Sequence, residues 1–134
     1  MKAFFSKQIF VEGEFQSGYL ISNEGRIEAI IPELPHSFDG QHIDCGNYVI
    51  LSGFIDCHVH VNEPGRTEWE GFETATQSAS FGGITTLVDM PLNCSPVTIS
   101  EEALRIKLQA LQGKIYVDCA YWGGVIPNSL SDLP

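Results

Sequence analysis

The run Asp56-Cys57-His58-Val59-His60 sets two imidazoles on alternate residues at the end of an apolar stretch. Alternate side chains of an extended strand share a face, so Asp56, His58 and His60 point one way while Ile55, Cys57, Val59 and Val61 point the other. Two imidazoles on one face can converge on a single metal ion, with Asp56 placed to orient a ring or balance charge. The competing reading is a pair of hydrogen-bonded polar residues near a strand end. The adjacent carboxylate and the parallel-strand context strengthen the metal reading without closing the other.

Further on, "NEPGRTEWE" turns at Pro64-Gly65 and presents Arg66, Glu68 and Glu70. Arg66 could clamp an anionic or carbonyl group of a substrate, or pair with a nearby glutamate on the surface. In "MPLNCSP", Asn93 occupies the corresponding position after the next strand, where its amide could donate to a substrate carbonyl or simply shape a turn. His36 and His42 lie in a polar, turn-rich stretch and read as solvated. Trp69 and Trp122 read as core or domain-contact residues rather than a binding platform.

The elements that must position these groups change character along the chain. Residues 1 to about 50 hold short alternating runs separated by turn formers, and they predict small antiparallel strands with a hairpin loop at Asn23-Glu24-Gly25. From Tyr48 onward long apolar strands alternate with helical patterns, the signature of βαβ units. The expected strands are Tyr48 to Val61, Gly83 to Met90 and Lys114 to Trp122. Between the first two, Thr67 and Glu70 form a T-x-x-E capping pattern, which predicts a helix from about Glu68 to Phe81. Between the second and third, Thr98 or Ser100 can cap a helix whose buried stripe is Leu104, Leu108 and Leu111. The closing "GGVIPNSLSDLP" leads into what reads as the beginning of another helix, as though the chain stopped inside a repeat.

Size and composition narrow the function classes. A chain of 134 residues can bury one core but falls short of a (β/α)8 barrel, which needs about 200 residues or more. A net charge of -10, with only seven scattered Lys and Arg, repels phosphate backbones and argues against nucleic acid as a partner. No run approaches the roughly 18 apolar residues of a membrane span. The start, "MKAFFSKQIFVEGEF", reaches Glu12 before any signal-peptide core could form, so the expected location is the cytoplasm. Cys45, Cys57, Cys94 and Cys119 form no C-x-x-C pair and read as reduced, mostly buried thiols.

Taken together, "GFIDCHVHVNEPGRTEWEGFETATQSASFGGITTLVDMPLNCSPVT" closely resembles the allantoinase branch of the cyclic amidohydrolases, relatives of dihydroorotase and dihydropyrimidinase. D-x-H-x-H marks that superfamily broadly, whereas "NEPGRTEWEGF" followed by "GGITTLVDMPLN" is specific to the branch. Dihydroorotases usually carry Arg two residues after the second His, where it holds the substrate carboxylate. Here that position is Asn62, and an uncharged side chain suits a hydantoin ring without a carboxylate. Cys94, with Ser95-Pro96, stands where allantoinases commonly show Ser and a Pro pair.

The resemblance implies an α/β fold: residues 1–50 as the N-terminal part of a small β-sandwich, and residues 51–134 as the first three βα units of an incomplete (β/α)8 metal-dependent hydrolase barrel. It implies that His58 and His60 hold the first of two divalent metals, zinc foremost, with Fe, Mn, Co or Ni as alternatives, and that Asp56 supports them. A hydroxide bridging the metals would open allantoin to allantoate, with Asn62, Arg66 and Asn93 as substrate contacts. The carboxylated lysine that bridges the metals, two further His and the general base would lie beyond Pro134, since Lys107 and Lys114 are not at a fourth strand end. The 134 residues alone are therefore expected to be inactive, with no catalytic base among them, and the full-length parent is expected to be a homotetramer. The rival readings are a dihydropyrimidinase- or dihydroorotase-like hydrolase, a noncatalytic truncated homologue that binds an intact relative, and a complete small domain of another α/β fold.

Overall fold

The computed structural model describes residues 1–132, in two compact units that divide between Ser52 and Gly53. The first unit is a five-stranded sheet of β1 (Lys2–Val11), β2 (Glu14–Asn23), β3 (Arg26–Ile31), β4 (Gln41–Asp44) and β5 (Val49–Ile50), in the order β3-β2-β1-β4 with β5 also against β1. The first three strands pair antiparallel through two-residue turns, Glu12-Gly13 and Glu24-Gly25. All four turn residues have positive φ, the twist that a tight hairpin requires. The later strands depart from the all-antiparallel expectation, because β4 and β5 run parallel to β1. The segment containing Pro32 and Pro35 makes a crossover instead of a hairpin, and so returns the chain in the direction of β1. Ala3, Ile9 and Ile21 are buried there, and the buried Ser6 hydroxyl donates to the Tyr48 carbonyl at 2.5 Å.

The second unit carries a parallel sheet in the order β6 (Phe54–Val59), β7 (Ile84–Asp89), β8 (Asp118–Tyr121). Helix α1 (Phe72–Phe81) lies in the first crossover and α2 (Glu101–Ala110) in the second, and a short 3-10 helix covers Pro127–Asp132 where the sequence suggested a helix start. Parallel neighbours need such crossovers, which is why strand and helix patterns alternate in the sequence. All three strands end at the same edge of the sheet, where ligand sites of parallel α/β folds form.

Several local expectations are corrected. The apolar run from Tyr48 to Val61 is not one strand: it supplies β5 to one sheet and β6 to another, with Leu51 to Gly53 between. Gly53 belongs at this break because a Cβ there would sit 2.1 Å from Thr85 Cγ2. The third strand forms only at Asp118–Tyr121, since the preceding residues turn and Tyr116 N–H donates to Thr76 Oγ1 at 3.2 Å. Helix α1 begins at Phe72, not Glu68. Its N-cap, Gly71, offers no side chain, and the first free N–H, on Phe72, donates to Glu63 Oε2 at 2.9 Å. A carboxylate from outside the helix does what the T-x-x-E pattern was expected to do.

Helix α2 starts as its sequence predicts, with Ser100 Oγ accepting from Ala103 N–H at 3.2 Å. Its buried stripe, however, is Ala103, Lys107 and Leu111, while Leu108 is exposed. Leu104 and Leu108 are outranked by a lysine because a buried carboxylate waits beneath it. The core proper is Val61, Phe72 and Leu111, with Val59, Ala75, Cys119 and Tyr121 packed around them. Phe72 meets Tyr121 edge-on at 6.0 Å and is fully buried, a contribution of about 1.5–3 kcal/mol. The apolar face of β6 is covered only from Val59 onward, since Ile55 and Cys57 lie exposed on an edge strand. Of the four free thiols only Cys94 is buried, against the expectation that most would be. Trp69 and Trp122 are likewise exposed rather than core.

Candidate metal centre

His60 immediately follows β6 and His58 is its penultimate residue, so both imidazoles stand at the carboxyl end of the strand, exposed to solvent. Their ring centroids are 5.3 Å apart, with planes at 57°. Rings that share a tetrahedral ion at a metal–nitrogen distance of about 2.0–2.1 Å have centroids about 5.2 Å apart. The pair therefore meets the spacing of two ligands on one ion. Among the described residues no group of three or more His, Cys, Asp or Glu side chains gathers around a common point, so these residues would fill two positions of such a site. Asp56, expected to support a ring, accepts the His58 backbone N–H at 3.1 Å and steadies the strand instead.

Two buried carboxylates behind the strand end carry no obvious mark in the sequence. Asp89, the last residue of β7, accepts the Val61 N–H on Oδ1 at 2.8 Å and pairs through Oδ2 with Lys107, both side chains being 1% exposed. Burial pushes the Asp89 carboxyl above its ordinary value, against the opposing pull of Lys107, the Val61 N–H and nearby His60. Glu63 accepts the Phe72 N–H and pairs with Lys114, just past α2. Both lysines are thus committed to these carboxylates. Further in, burial raises the Tyr121 phenol and the Cys119 thiol above their ordinary ranges.

The loops that follow β6 and β7 are stitched together. Pro64 C=O accepts from Ser95 N–H at 2.8 Å, and Gly65, at φ 95°, lies so close that a Cβ would come within 2.7 Å of Ser95 Cβ. This contact brings "EPGR" and "NCSP" to the same edge of the sheet as the histidines. Asn62 is buried; its backbone N–H donates to the Glu70 carbonyl, its own carbonyl accepts from Arg66 N–H, and its side-chain Oδ1 has no partner among the described residues. Arg66 forms no ion pair among those residues; its guanidinium lies over the Trp69 ring at 5.3 Å. Asn93 is exposed in the left-handed region at φ 71°, which suits an asparagine turn. The Trp122 indole donates to the Cys57 carbonyl at 3.0 Å, beside the histidine pair in sequence. His36 and His42 are exposed in the other unit, as expected.

No protein-family model matches the chain. It is 46% identical over 129 residues to the protein named "Allantoinase, mitochondrial" of Aquarana catesbeiana, an alignment covering 96% of this chain and 27% of that one. It is 58% identical over 84 residues to the allantoinase of Saccharomyces cerevisiae, covering 63% of this chain and 18% of the yeast protein. Among solved structures it superposes on the L-hydantoinase (dihydropyrimidinase) from Arthrobacter aurescens with a TM-score of 0.85 at 25% identity, covering 98% of this chain and 29% of that one. A dihydroorotase structure matches with a TM-score of 0.54 at 23% identity, a likeness of fold. The chain spans about a quarter of the length of the curated relatives it matches.

Proposed function

We propose that this chain, homologous to the allantoinases over about a quarter of their length, supplies the first half of the metal site of a cyclic amide hydrolase that opens the hydantoin ring of allantoin to allantoate. The observation that carries this reading is the His58–His60 pair, at shared-ion spacing on the carboxyl end of a parallel strand, inside a sequence 46% identical to an allantoinase. Identity of 46–58% to allantoinases, against 25% to a hydantoinase that superposes well, supports allantoin over the other candidates. In this reading β6, β7 and β8 are the first three strands of a (β/α)8 barrel, and Met1–Ser52 belongs to a small β-sandwich. In this reading the whole protein would be a homotetramer with two divalent ions, zinc foremost, and a carboxylated lysine would be a further ligand.

His58 and His60 would hold the first ion, which would supply Lewis acidity at the ring carbonyl. Asp56 fixes the strand beneath them through the His58 N–H. Asn62 presents an acceptor without a partner, and a buried acceptor left unmatched costs about 1–3 kcal/mol. The lack of charge on Asn62 disfavours a substrate that needs its carboxylate held. Arg66 and Asn93, on the two stitched loops, are the remaining substrate contacts. In this reading the 134 residues, holding two of the ligands, would not by themselves open allantoin.

The test is a substrate panel of allantoin, unsubstituted hydantoin, dihydrouracil and dihydroorotate on the metal-loaded full natural chain. Ring opening of allantoin is the expected result. Turnover of dihydroorotate or dihydrouracil without allantoin would refute the assignment.

A further inference from the structure

We propose that Asp89 is a positioning residue for His60, its Oδ1 gripping the peptide that follows the imidazole. The backbone on both sides of His60 is pinned to the end of β7. The Val59 carbonyl, before it, accepts from Met90 N–H at 2.7 Å, and the Val61 N–H, after it, donates to Asp89 Oδ1 at 2.8 Å. The second contact is no part of the sheet ladder: β6 has ended at Val59, and a side chain takes over where backbone pairing stops. Asp89 is itself fixed from three directions. Lys107 binds its other oxygen, its carbonyl accepts from Trp122 N–H at 2.9 Å, and Val61 lies fully buried in the core against which it rests.

The lysine adds a second restraint. Its ammonium lies 5.9 Å from the Tyr121 ring centroid, so the one side chain links α2, β7 and the end of β8. An imidazole on an exposed strand end would otherwise swing with its backbone, and supporting contacts of this kind commonly alter metal affinity 10–100-fold when removed. Positioning acts through the oxygen that accepts the Val61 N–H. The ionic pair is secondary, which separates this role from a purely structural buried salt bridge.

The inference rests on the metal reading of His58 and His60, and the experiment separates the two. Cobalt(II) is titrated into the metal-free full natural chain, followed by its ligand-field absorption and by competition with a chelator, for four proteins: wild type, H58A/H60A, D89N/K107M and D89L/K107M. Circular dichroism and cooperative melting establish folding. The amide of D89N/K107M keeps an acceptor for Val61 N–H without the ion pair, so its cobalt affinity should stay within about threefold of wild type, whereas D89L/K107M removes the acceptor and should lose about tenfold or more. A folded D89L/K107M with wild-type affinity and spectrum overturns the positioning role. If that variant does not fold, the smaller D89A/K107M, which also lacks the acceptor, takes its place: a loss of about tenfold with the fold intact supports the role, and wild-type affinity overturns it. If H58A/H60A binds cobalt like wild type, the metal reading itself fails and the positioning role falls with it.

Discussion

Lys107→Met should be among the most damaging single changes in the second unit, and Lys114→Met, chemically the same substitution, should be mild. The two lysines differ in what they leave behind. Lys107 and Asp89 are each 1% exposed, so removing the ammonium strands a carboxylate in the core with only the Val61 N–H for company. Breaking a buried pair in this way costs about 3–5 kcal/mol. Lys114 is 39% exposed, and its partner Glu63, though buried, keeps the Phe72 N–H, so the loss should be about 1–2 kcal/mol. Adding Asp89→Asn to Lys107→Met should recover most of the larger loss, because the amide needs no counter-ion yet still accepts from Val61. Urea unfolding of the metal-free full natural chain, wild type and variants side by side, measures all three, and removing metal keeps bound-ion stabilisation out of the comparison. Equal losses for the two lysine variants, or a Lys107→Met loss below about 1 kcal/mol, would refute the argument from burial.

Three other outcomes follow from individual contacts. Burial raises the Tyr121 phenol above its ordinary value of 10.0 and the Cys119 thiol above 9.0. The unfolded chain therefore loses these protons first, so the stability they contribute is complete below about pH 9 and falls as pH rises through 9 to 11. In Tyr121→Phe the fall in urea midpoint over that range should be shallower, and an unchanged slope would count against the assignment. Asn62→Ala, which deletes a buried acceptor without a partner among the described residues, should leave stability in urea unchanged or slightly raised; a loss above about 1 kcal/mol would show that Oδ1 has a partner. Gly65→Ala must place a Cβ 2.7 Å from Ser95 Cβ at φ 95° and should cost about 2 kcal/mol or more, against about 1 kcal/mol for Gly25→Ala, which has positive φ but open space. Thermal melts that rank the two glycines in the opposite order would contradict the packing of the two loops.

What the sequence reveals here is what depends on near neighbours. Alternation placed His58 and His60 together at the end of a strand, Ser100 announced the start of α2, and the switch from short alternating runs to apolar strands separated by helical patterns marked the parallel sheet. What it hides depends on partners far along the chain. Lys107 lies 18 residues from Asp89, and Lys114 lies 51 from Glu63, so neither looks like anything but a surface lysine until the sheet and helices are packed. The T-x-x-E pattern at Thr67 misled for the same reason: Glu63, held near the helix start by the turn after β6, caps α1 in its place. Leu51 to Gly53 bridged two sheets; the Ser52-Gly53 pair was the available sign of that break, and the close approach of Gly53 to Thr85 is why a glycine stands there. One clue was available: "VDMP" puts a carboxylate at the end of an otherwise apolar strand, where a buried charge needs a partner.

The central claim, that His58 and His60 hold one of two metal ions in a cyclic amide hydrolase, is tested most directly by metal content. Elemental analysis of the full natural chain, purified from cells supplied with zinc, should give about two divalent ions per chain, and H58A/H60A should retain no more than about one. Equal metal content in the two proteins would contradict the claim.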